Sequence, residues 1–235
     1  IPYPRKDVDD WAKMFARCYE MAGITALDRI QITPGYGLWT AGIGFQLGAE
    51  HLGAMTIPMG PGNTDKQLRM MQDMKATVLC ATSSYALLLA EEIAKRDMTD
   101  KVCLKKGVIG SERWGEKMRK RIAAELGVQL YDIYGLTEIC GPGVGGECEC
   151  QNGTHLWEDH FFPEIVDPVT LEPVEPGQHG ELVFTTLTKE GMPMIRYRTR
   201  DLTHLIYDKC ECGRTAVRMG RILGRSDDML IIRGV

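Results

Sequence analysis

An α/β fold is predicted for this 235-residue chain: a parallel, doubly wound sheet followed by a mainly β, barrel-like subdomain. Three observations predict it. Apolar strand runs alternate with helical segments as far as residue 135, and such alternation needs crossover connections, which pair the strands in parallel and cover both faces with helices. After Gly146 the texture changes to short β-rich runs separated by Pro and Gly. Finally, hydroxyl, carboxylate and aromatic residues cluster just after two of the strand runs, where doubly wound sheets bind their ligands.

The elements follow in chain order. Val8, Trp11, Phe15, Cys18 and Ala22 recur at steps of three and four, which puts them on one helical face. "DRIQIT" is a strand run, and the Gly-rich "PGYGLWTAGIGFQLGAEHLGA" has helical composition in its second half before the short strand "MTIPM". Thr64 is placed to cap the helix "DKQLRMMQDMKA", and Ser83 to cap "YALLLAEEIAKR" after the buried-strand run "TVLCAT". "KKGVIG", "ERWGEKMRKRIAAEL" and "VQLYDIYG" complete the alternation. Beyond it, "HFFPEIVD", "GELVFTTLT", "PMIRYRTRD" and "LTHLIYD" are strand candidates.

Composition narrows the function. Lys plus Arg number 28 against 32 Asp plus Glu, a formal charge of −4, so no basic excess is available for a phosphate backbone and nucleic acid is not an expected partner. No apolar run approaches the roughly 18 residues of a membrane span, and the start "IPYPRKDVDD" lacks the apolar core of a secretion signal, so a soluble cytoplasmic protein is expected. In that setting the eight cysteines are reduced core thiols or metal ligands, with Cys18, Cys80 and Cys103 expected in the core. The Pro-rich start and the strand-like end "MLIIRGV", which has no turn after it, lead us to expect a fragment of a longer protein.

The segment "IYGLTE" can be a ligand site. Tyr134 offers a face for a base, worth roughly 1–3 kcal/mol in comparable contacts. Gly135 admits close backbone approach, the Thr137 hydroxyl suits a phosphate oxygen, and Glu138 offers a hard oxygen for Mg²⁺. The plainer alternative is a strand end followed by a helix capped by Thr137. In "YRTRDL", Asp201 stands among Arg196, Arg198 and Arg200; its carboxylate could accept both hydroxyls of a ribose, or belong to a surface ion-pair cluster. "GRSDDMLIIRG" carries Arg225, Asp227 and Asp228 ahead of an apolar run, where a turn before a strand is the plain alternative.

Together these segments resemble the adenylate-forming superfamily of acyl-CoA ligases and luciferases. The match is narrower still: "GYGLWTAGIG", "GSERW", "DIYGLTE", "GPGVGGEC", "WEDHFFPEIVDP", "GELVFTTLTKEGMPMIRYRTRDLT" and "GRSDDMLIIRGV" resemble phenylacetate-CoA ligases over nearly the whole chain. The resemblance implies a carboxylate attacking the α-phosphate of ATP to give an acyl-adenylate, and CoA then displacing AMP. It implies that Tyr134 packs on adenine opposite Ser111, Glu112 and Arg113, with Asp132 and Gly135 shaping that pocket. Thr137 would meet the α-phosphate, Glu138 hold Mg²⁺, Asp201 bind the ribose, Arg225 approach ribose or phosphate, and Asp227 mark a hinge. Tyr36, Trp39 and the small-residue wall Gly141, Pro142 and Gly143 would form the aryl-acid pocket, with core packing as the alternative. The implied division is an α/β nucleotide- and acyl-binding subdomain at 1–146, a β-rich subdomain at 147–224, and a hinge leading to a further domain at 225–235. A Ser/Thr/Gly-rich phosphate loop and a distal catalytic lysine, both implied for the family, are not among these residues, so the fragment alone is expected to be inactive. A homodimer is also implied.

"CECQNGTH" and "KCECGR" supply Cys148, Cys150, His155, Cys210 and Cys212. Four soft ligands suffice for tetrahedral zinc, and Cys148, His155, Cys210 and Cys212 are the preferred set, stapling the β lobe; "C-G-R-T" after C-x-C resembles a metal-knuckle turn, which some of these ligases carry. Unliganded thiols are the alternative. Gly141, Gly143 and Gly146 also satisfy G-x-G-x-x-G, but they follow no strand-to-helix pattern, which argues against a dinucleotide fold. His160 is expected to be a packed histidine. Two other functions fit the same segments: adenylation with another acceptor, as in synthetases that act on a deazaflavin cofactor, and a zinc-stapled nucleotide-binding module without turnover.

Overall fold

The structure is a computed structural model describing residues 1–37, 40–112 and 114–227. Strands β1 (Arg29–Ile32), β2 (Met55–Pro58), β3 (Val78–Thr82), β4 (Lys106–Gly110) and β5 (Gln129–Leu136) lie in parallel in the order β2-β1-β3-β4-β5. Helix α1 (Arg5–Met21) precedes them, and α2 (Ala41–Leu52), α3 (Thr64–Asp73), α4 (Ser83–Lys95) and α5 (Glu116–Leu126) fill the four connections.

Successive strand residues point to opposite faces, so the sheet separates two apolar cores. Val78, Cys80 and Val108 join Trp11, Phe15 and Phe45 of α1 and α2 on one side. Leu79, Ala81 and Ile109 join Leu68, Leu89 and Ile122 of α3, α4 and α5 on the other. Helices therefore cover both faces, as the alternation predicts. Among the described residues, no helix is long and apolar enough to cross a membrane.

Three local expectations are corrected. The cap of α3 is Asn63, which accepts from the Lys66 N–H, because its left-handed backbone places it outside the helix while Thr64 is already helical. The cap of α4 is Thr82, not Ser83, for the same reason: its backbone is extended and its hydroxyl accepts from the Tyr85 N–H. Cys103 is exposed, since it lies in the loop ahead of β4, while Cys18 and Cys80 are buried as expected.

The large sheet does not stop where the texture changes. Residue 146 lies inside β6 (Gly141–Glu147), which turns back antiparallel against β5 and is followed in the sheet by β7 (Thr154–Leu156), β12 (Arg218–Met219) and β11 (Leu205–Ile206), nine strands among the described residues. Gly141, Gly143 and Gly146 all sit in this strand. Four other strands, β8 (Phe161–Val166), β9 (Gly180–Thr186), β10 (Tyr197–Thr203) and β13 (Gly224–Arg225), form a separate antiparallel sheet in the order β13-β10-β9-β8. Phe161, Leu182 and Phe184 of that sheet share one core with α1 and α2, so the two sheets pack together. His160 is buried, with Nδ1 2.7 Å from the Thr188 hydroxyl, as a packed histidine should be.

Candidate active site

A cleft of about 1310 Å³ opens at the carboxyl ends of β4 and β5, walled on one side by β10 and β13. Its centre is the turn after β5. The register shifts between Tyr134 and Gly135, where the partner strand comes so close that any Cβ at Gly135 would meet the Gly141 carbonyl. The Ile139 and Cys140 N–H groups both donate to the Leu136 carbonyl, at 3.1 and 3.2 Å. The chain thus reverses into a hairpin, and no helix begins at Thr137. The Thr137 and Thr40 hydroxyls lie 3.0 Å apart, while the Glu138 carboxylate makes no hydrogen bond or ion pair among the described residues.

Asp201 reaches the cleft by strand alternation: Tyr197, Thr199 and Asp201, every second residue of β10, all line it. Between Arg198 and Leu202 the pairing with β9 also shifts register, and Arg200 there has a left-handed backbone (φ 70°). Asp201 Oδ2 accepts from the Tyr134 hydroxyl at 2.6 Å, and Oδ1 from Arg225 Nη1 at 3.0 Å. Burial pushes the Asp201 carboxyl up; the Tyr134 and Arg225 hydrogen bonds oppose that push. The expected arginine cluster does not surround it. Arg198 grips Glu181 with two contacts of 2.7 Å, Arg200 is 3.9 Å from the same Glu181, and Arg196 pairs with Glu164 at 3.3 Å. Arg198 and Arg200 alternate with Asp201 along β10 and leave the other face of the strand, while Arg196 precedes it. Arg225 in turn holds Asp227 through Nε and Nη2, at 2.7 and 2.8 Å.

Tyr134 is only 8% exposed and its ring packs against Phe184 with centroids 6.4 Å apart. Its hydroxyl is a fixed partner of Asp201, a role the sequence reading did not include. On the opposite wall Ser111 adopts a left-handed backbone (φ 68°), and the Glu112 carboxylate accepts from the Ser83 hydroxyl, the Ser84 N–H and the Ser84 hydroxyl, each at 2.7 Å. Glu112 therefore satisfies the start of α4 from the edge of the cleft. Asp132 lies beside the buried pair of Arg119 and Glu147, whose contacts are 3.0 and 2.7 Å, and its own N–H donates to Glu147 Oε2 at 2.8 Å. Burial and then the Glu147 charge hold the Asp132 carboxyl up at about 7. Arg113 and Trp39 lie outside the described residues.

The small-residue wall divides. Pro142 lines the cleft, near Thr40 and Ala41, but Gly141 and Gly143 face α1: a Cβ on Gly141 would meet the Trp11 ring, and one on Gly143 the Phe15 ring. Tyr36 is not part of the cleft lining either, and its hydroxyl is buried without a hydrogen-bond partner among the described residues. Core packing accounts for both glycines because the indoles of Trp11 and Trp157 also bond the carbonyls of Pro142 and Gly143, at 2.7 and 2.8 Å.

Cys148, His155, Cys210 and Cys212 converge, with ligand atoms all within 4.8 Å of one another. The Cys148 and Cys210 sulfurs are 3.8 Å apart, and Cys212 Sγ is 3.6 Å from His155 Nε2. A tetrahedral zinc with ordinary bond lengths separates two sulfurs by about 3.8 Å and a sulfur from a nitrogen by about 3.6 Å, so this donor set fits that ion. Burial, then Arg218 and Arg214, push His155 down to about 4, which keeps the imidazole neutral and able to ligate. The cluster joins β6, β7 and the loop before β12, so it would staple the edge of the nine-stranded sheet instead of the four-stranded one. Cys150 is half-buried and stands outside the set.

Sequence reasoning missed the supports behind the turn. The Tyr3 hydroxyl donates to the Thr137 carbonyl, and Lys189 Nζ to the Glu138 carbonyl at 2.7 Å. These contacts span 134 and 51 residues, and no local pattern marks them.

Fold and cleft define the class, an α/β protein whose sheet-end cleft suits a nucleotide. The chain belongs to the AMP-binding enzyme family, whose model matches residues 12–188. It is 50% identical over its whole length to a phenylacetate-coenzyme A ligase of Thermus thermophilus, covering 53% of that protein, and 50% identical to one of Escherichia coli, covering 54%. The chain thus spans about half the length of the curated relatives it matches. A solved 2-hydroxyisobutyryl-CoA ligase in complex with 2-HIB-AMP and CoA superposes with a TM-score of 0.93 at 30% identity, over 99% of this chain and 50% of that one. An anthranilate CoA ligase in complex with anthranoyl-AMP shares the fold at a TM-score of 0.69 and 19% identity, over 100% of this chain and 46% of that one.

Proposed function

We propose that this chain carries the nucleotide- and acyl-binding machinery of an ATP-dependent aryl-acid CoA ligase, with phenylacetate as the acid. A carboxylate attacks the α-phosphate of ATP to give an acyl-adenylate and pyrophosphate; CoA thiolate then displaces AMP to give the thioester. The observation that carries this reading is the convergence of Tyr134, Thr137, Glu138, Asp201 and Arg225 on one cleft.

Asp201, held by Tyr134 and Arg225, retains lone pairs that can accept the two ribose hydroxyls. Tyr134, Ser111 and Asp132 bound the space for the base, and the Thr137 hydroxyl is placed for a phosphate oxygen. Glu138 would hold Mg²⁺, which supplies positive charge to phosphate oxygens as negative charge builds there. The acid enters beside Pro142, Thr40 and Ala41. Catalysis is then positioning and charge stabilisation, with no protein nucleophile. Arg225 approaches the ribose or phosphate, and Asp227 marks the hinge. Cys148, His155, Cys210 and Cys212 hold a structural zinc. A cytoplasmic homodimer is the setting that goes with this reading.

The test is acid-dependent pyrophosphate release by the full-length protein with ATP and Mg²⁺. Phenylacetate should support it, and CoA should yield the thioester. No release across a panel of aryl acids would end the proposal, while release followed by transfer to another acceptor would correct only its second half.

A further inference from the structure

Among the described residues the Glu138 carboxylate makes no hydrogen bond or ion pair that would aim it, yet both peptide groups beside its Cα are held. The carbonyl of the Thr137–Glu138 peptide accepts from the Tyr3 hydroxyl, and that of the Glu138–Ile139 peptide accepts from Lys189 Nζ at 2.7 Å. Fixing both planes fixes φ and ψ at Glu138, and with them the direction of its Cα–Cβ bond.

The two supports are themselves braced. Lys189 lies over the Tyr3 ring, 5.2 Å from its centroid, and is only 9% exposed. Tyr3 stacks on Trp11 with centroids 5.5 Å apart, and the Trp11 indole bonds the Pro142 carbonyl across the hairpin. The loop bearing Lys189 is tied down by buried Asp7, whose two oxygens accept from the N–H groups of Glu190 and Gly191 at 2.9 and 2.7 Å. Neither Tyr3 nor Lys189 lines the cleft, so both act from behind the turn.

We propose that Tyr3 and Lys189 are positioning residues that pin the peptide planes on either side of Glu138, so that its carboxylate faces the cleft preset for a divalent cation. A flexible turn would have to order this carboxylate each time the cation-bound nucleotide enters; the pinned turn has that entropy already removed. The inference rests on the reading of Glu138 as the Mg²⁺ ligand. It adds what makes that single carboxylate sufficient.

The experiment compares ATP affinity with Mg²⁺ and with EDTA by calorimetry, for the full-length protein and its Lys189→Met, Lys189→Arg and Tyr3→Phe variants. Supports one shell behind a metal ligand typically contribute 10- to 100-fold in metal affinity, so Lys189→Met and Tyr3→Phe should each lose about tenfold of the Mg²⁺-dependent tightening. Metal-free ATP affinity should stay within twofold, and Lys189→Arg should regain most of the loss. A loss that is equal with and without Mg²⁺, or an unchanged ratio, overturns the positioning role. An unmodified protein whose ATP affinity ignores Mg²⁺ overturns instead the assignment of Glu138, and this inference with it. Should Lys189→Met fail to fold, Tyr3→Phe, which removes one oxygen, decides alone.

Discussion

The Tyr134 hydroxyl donates to Asp201 Oδ2 at 2.6 Å, while Arg225 occupies the other oxygen of the same carboxylate at 3.0 Å. The pair ties the end of β5 in the large sheet to β10 in the small one, so the two walls of the cleft meet at a single carboxylate. Asp201→Ala should weaken ATP binding by about 1.5–3 kcal/mol, roughly 10- to 100-fold in Kd, the usual contribution of hydrogen bonds to a charged group. The fold should survive because Arg225 keeps its two contacts with Asp227. Calorimetry and circular dichroism check both halves; unchanged ATP affinity would mean that the carboxylate serves Arg225 alone.

Much of the architecture was legible because it follows from periodicity. The strand runs "TVLCAT" and "KKGVIG" alternate their side chains between two cores, and the helix face of Trp11, Phe15 and Cys18 packs as its spacing requires. What was not legible depends on contacts between distant segments. The plainer reading of Thr137 is a helix cap, and only the approach of Gly135 to Gly141 makes the chain turn back. Glu112 looked free to meet a base, and only the position of α4 brings Ser83 and Ser84 to it. The arginines around Asp201 are neighbours in sequence that strand alternation separates in space. The cysteine and histidine set is preferred through the resemblance of its C-G-R-T turn to a metal knuckle and not through its C-x-C spacing, and the distances that suit a tetrahedral ion appear only once β7 and β12 pair.

Asp132 gives the protein a pH dependence. Its carboxyl is held up at about 7 by burial and by Glu147, against about 3.9 in an unfolded chain. A raised folded value favours the protonated form, so the stability it contributes is complete below about pH 3.9 and is lost as pH rises through about 7. Melting temperature should therefore fall between pH 5 and pH 8, and Asp132→Asn should flatten that fall by about 5–10 °C, since roughly two pH units at about 1.4 kcal/mol each are lost and 1 kcal/mol moves a chain of this size by about 2–4 °C. An identical slope in the variant would remove Asp132 as the titrating group.

Arg119 and Glu147 form a buried pair, with side chains 10% and 7% exposed. Glu147 also accepts the Asp132 N–H at 2.8 Å, and Arg119 reaches the Leu130 carbonyl at 2.6 Å. Glu147→Ala leaves a guanidinium and an N–H without their acceptor and should cost about 3–5 kcal/mol in chemical denaturation. Replacing both residues with apolar side chains of similar volume should cost much less, because no charge is then stranded. Equal losses in the single and double variants would contradict this account.

For the proposed zinc, purified protein should contain about one ion per chain, since one such set is found among the described residues. Of the eight cysteines, Cys148, Cys210 and Cys212 should react with a thiol reagent only after a chelator is added, and chelation should lower the melting temperature. His155→Ala should reproduce the effect of the chelator and leave little further response to it. Full thiol reactivity without chelator, with no metal bound, would assign the four residues to a plain thiol cluster.

Gly143 tests whether the glycine wall serves packing or the acid. Its backbone is left-handed (φ 97°), and an added Cβ would stand 2.7 Å from Phe15 Cδ2, inside the core shared by α1 and the hairpin. Gly143→Ala should therefore destabilise by about 1–3 kcal/mol through overpacking, with added backbone strain. The cleft itself is lined by Pro142 and not by this glycine, so the folded fraction should keep its order of preference among phenylacetate, benzoate and indoleacetate. Pro142→Ala should do the reverse, changing acid preference at a smaller cost in stability, because its side chain borders the space the acid would occupy. Denaturation curves and pyrophosphate release with the three acids separate these outcomes. A shift in acid preference by Gly143→Ala at unchanged stability would return this glycine to the substrate pocket and require α1 to move away from β6 when the acid binds.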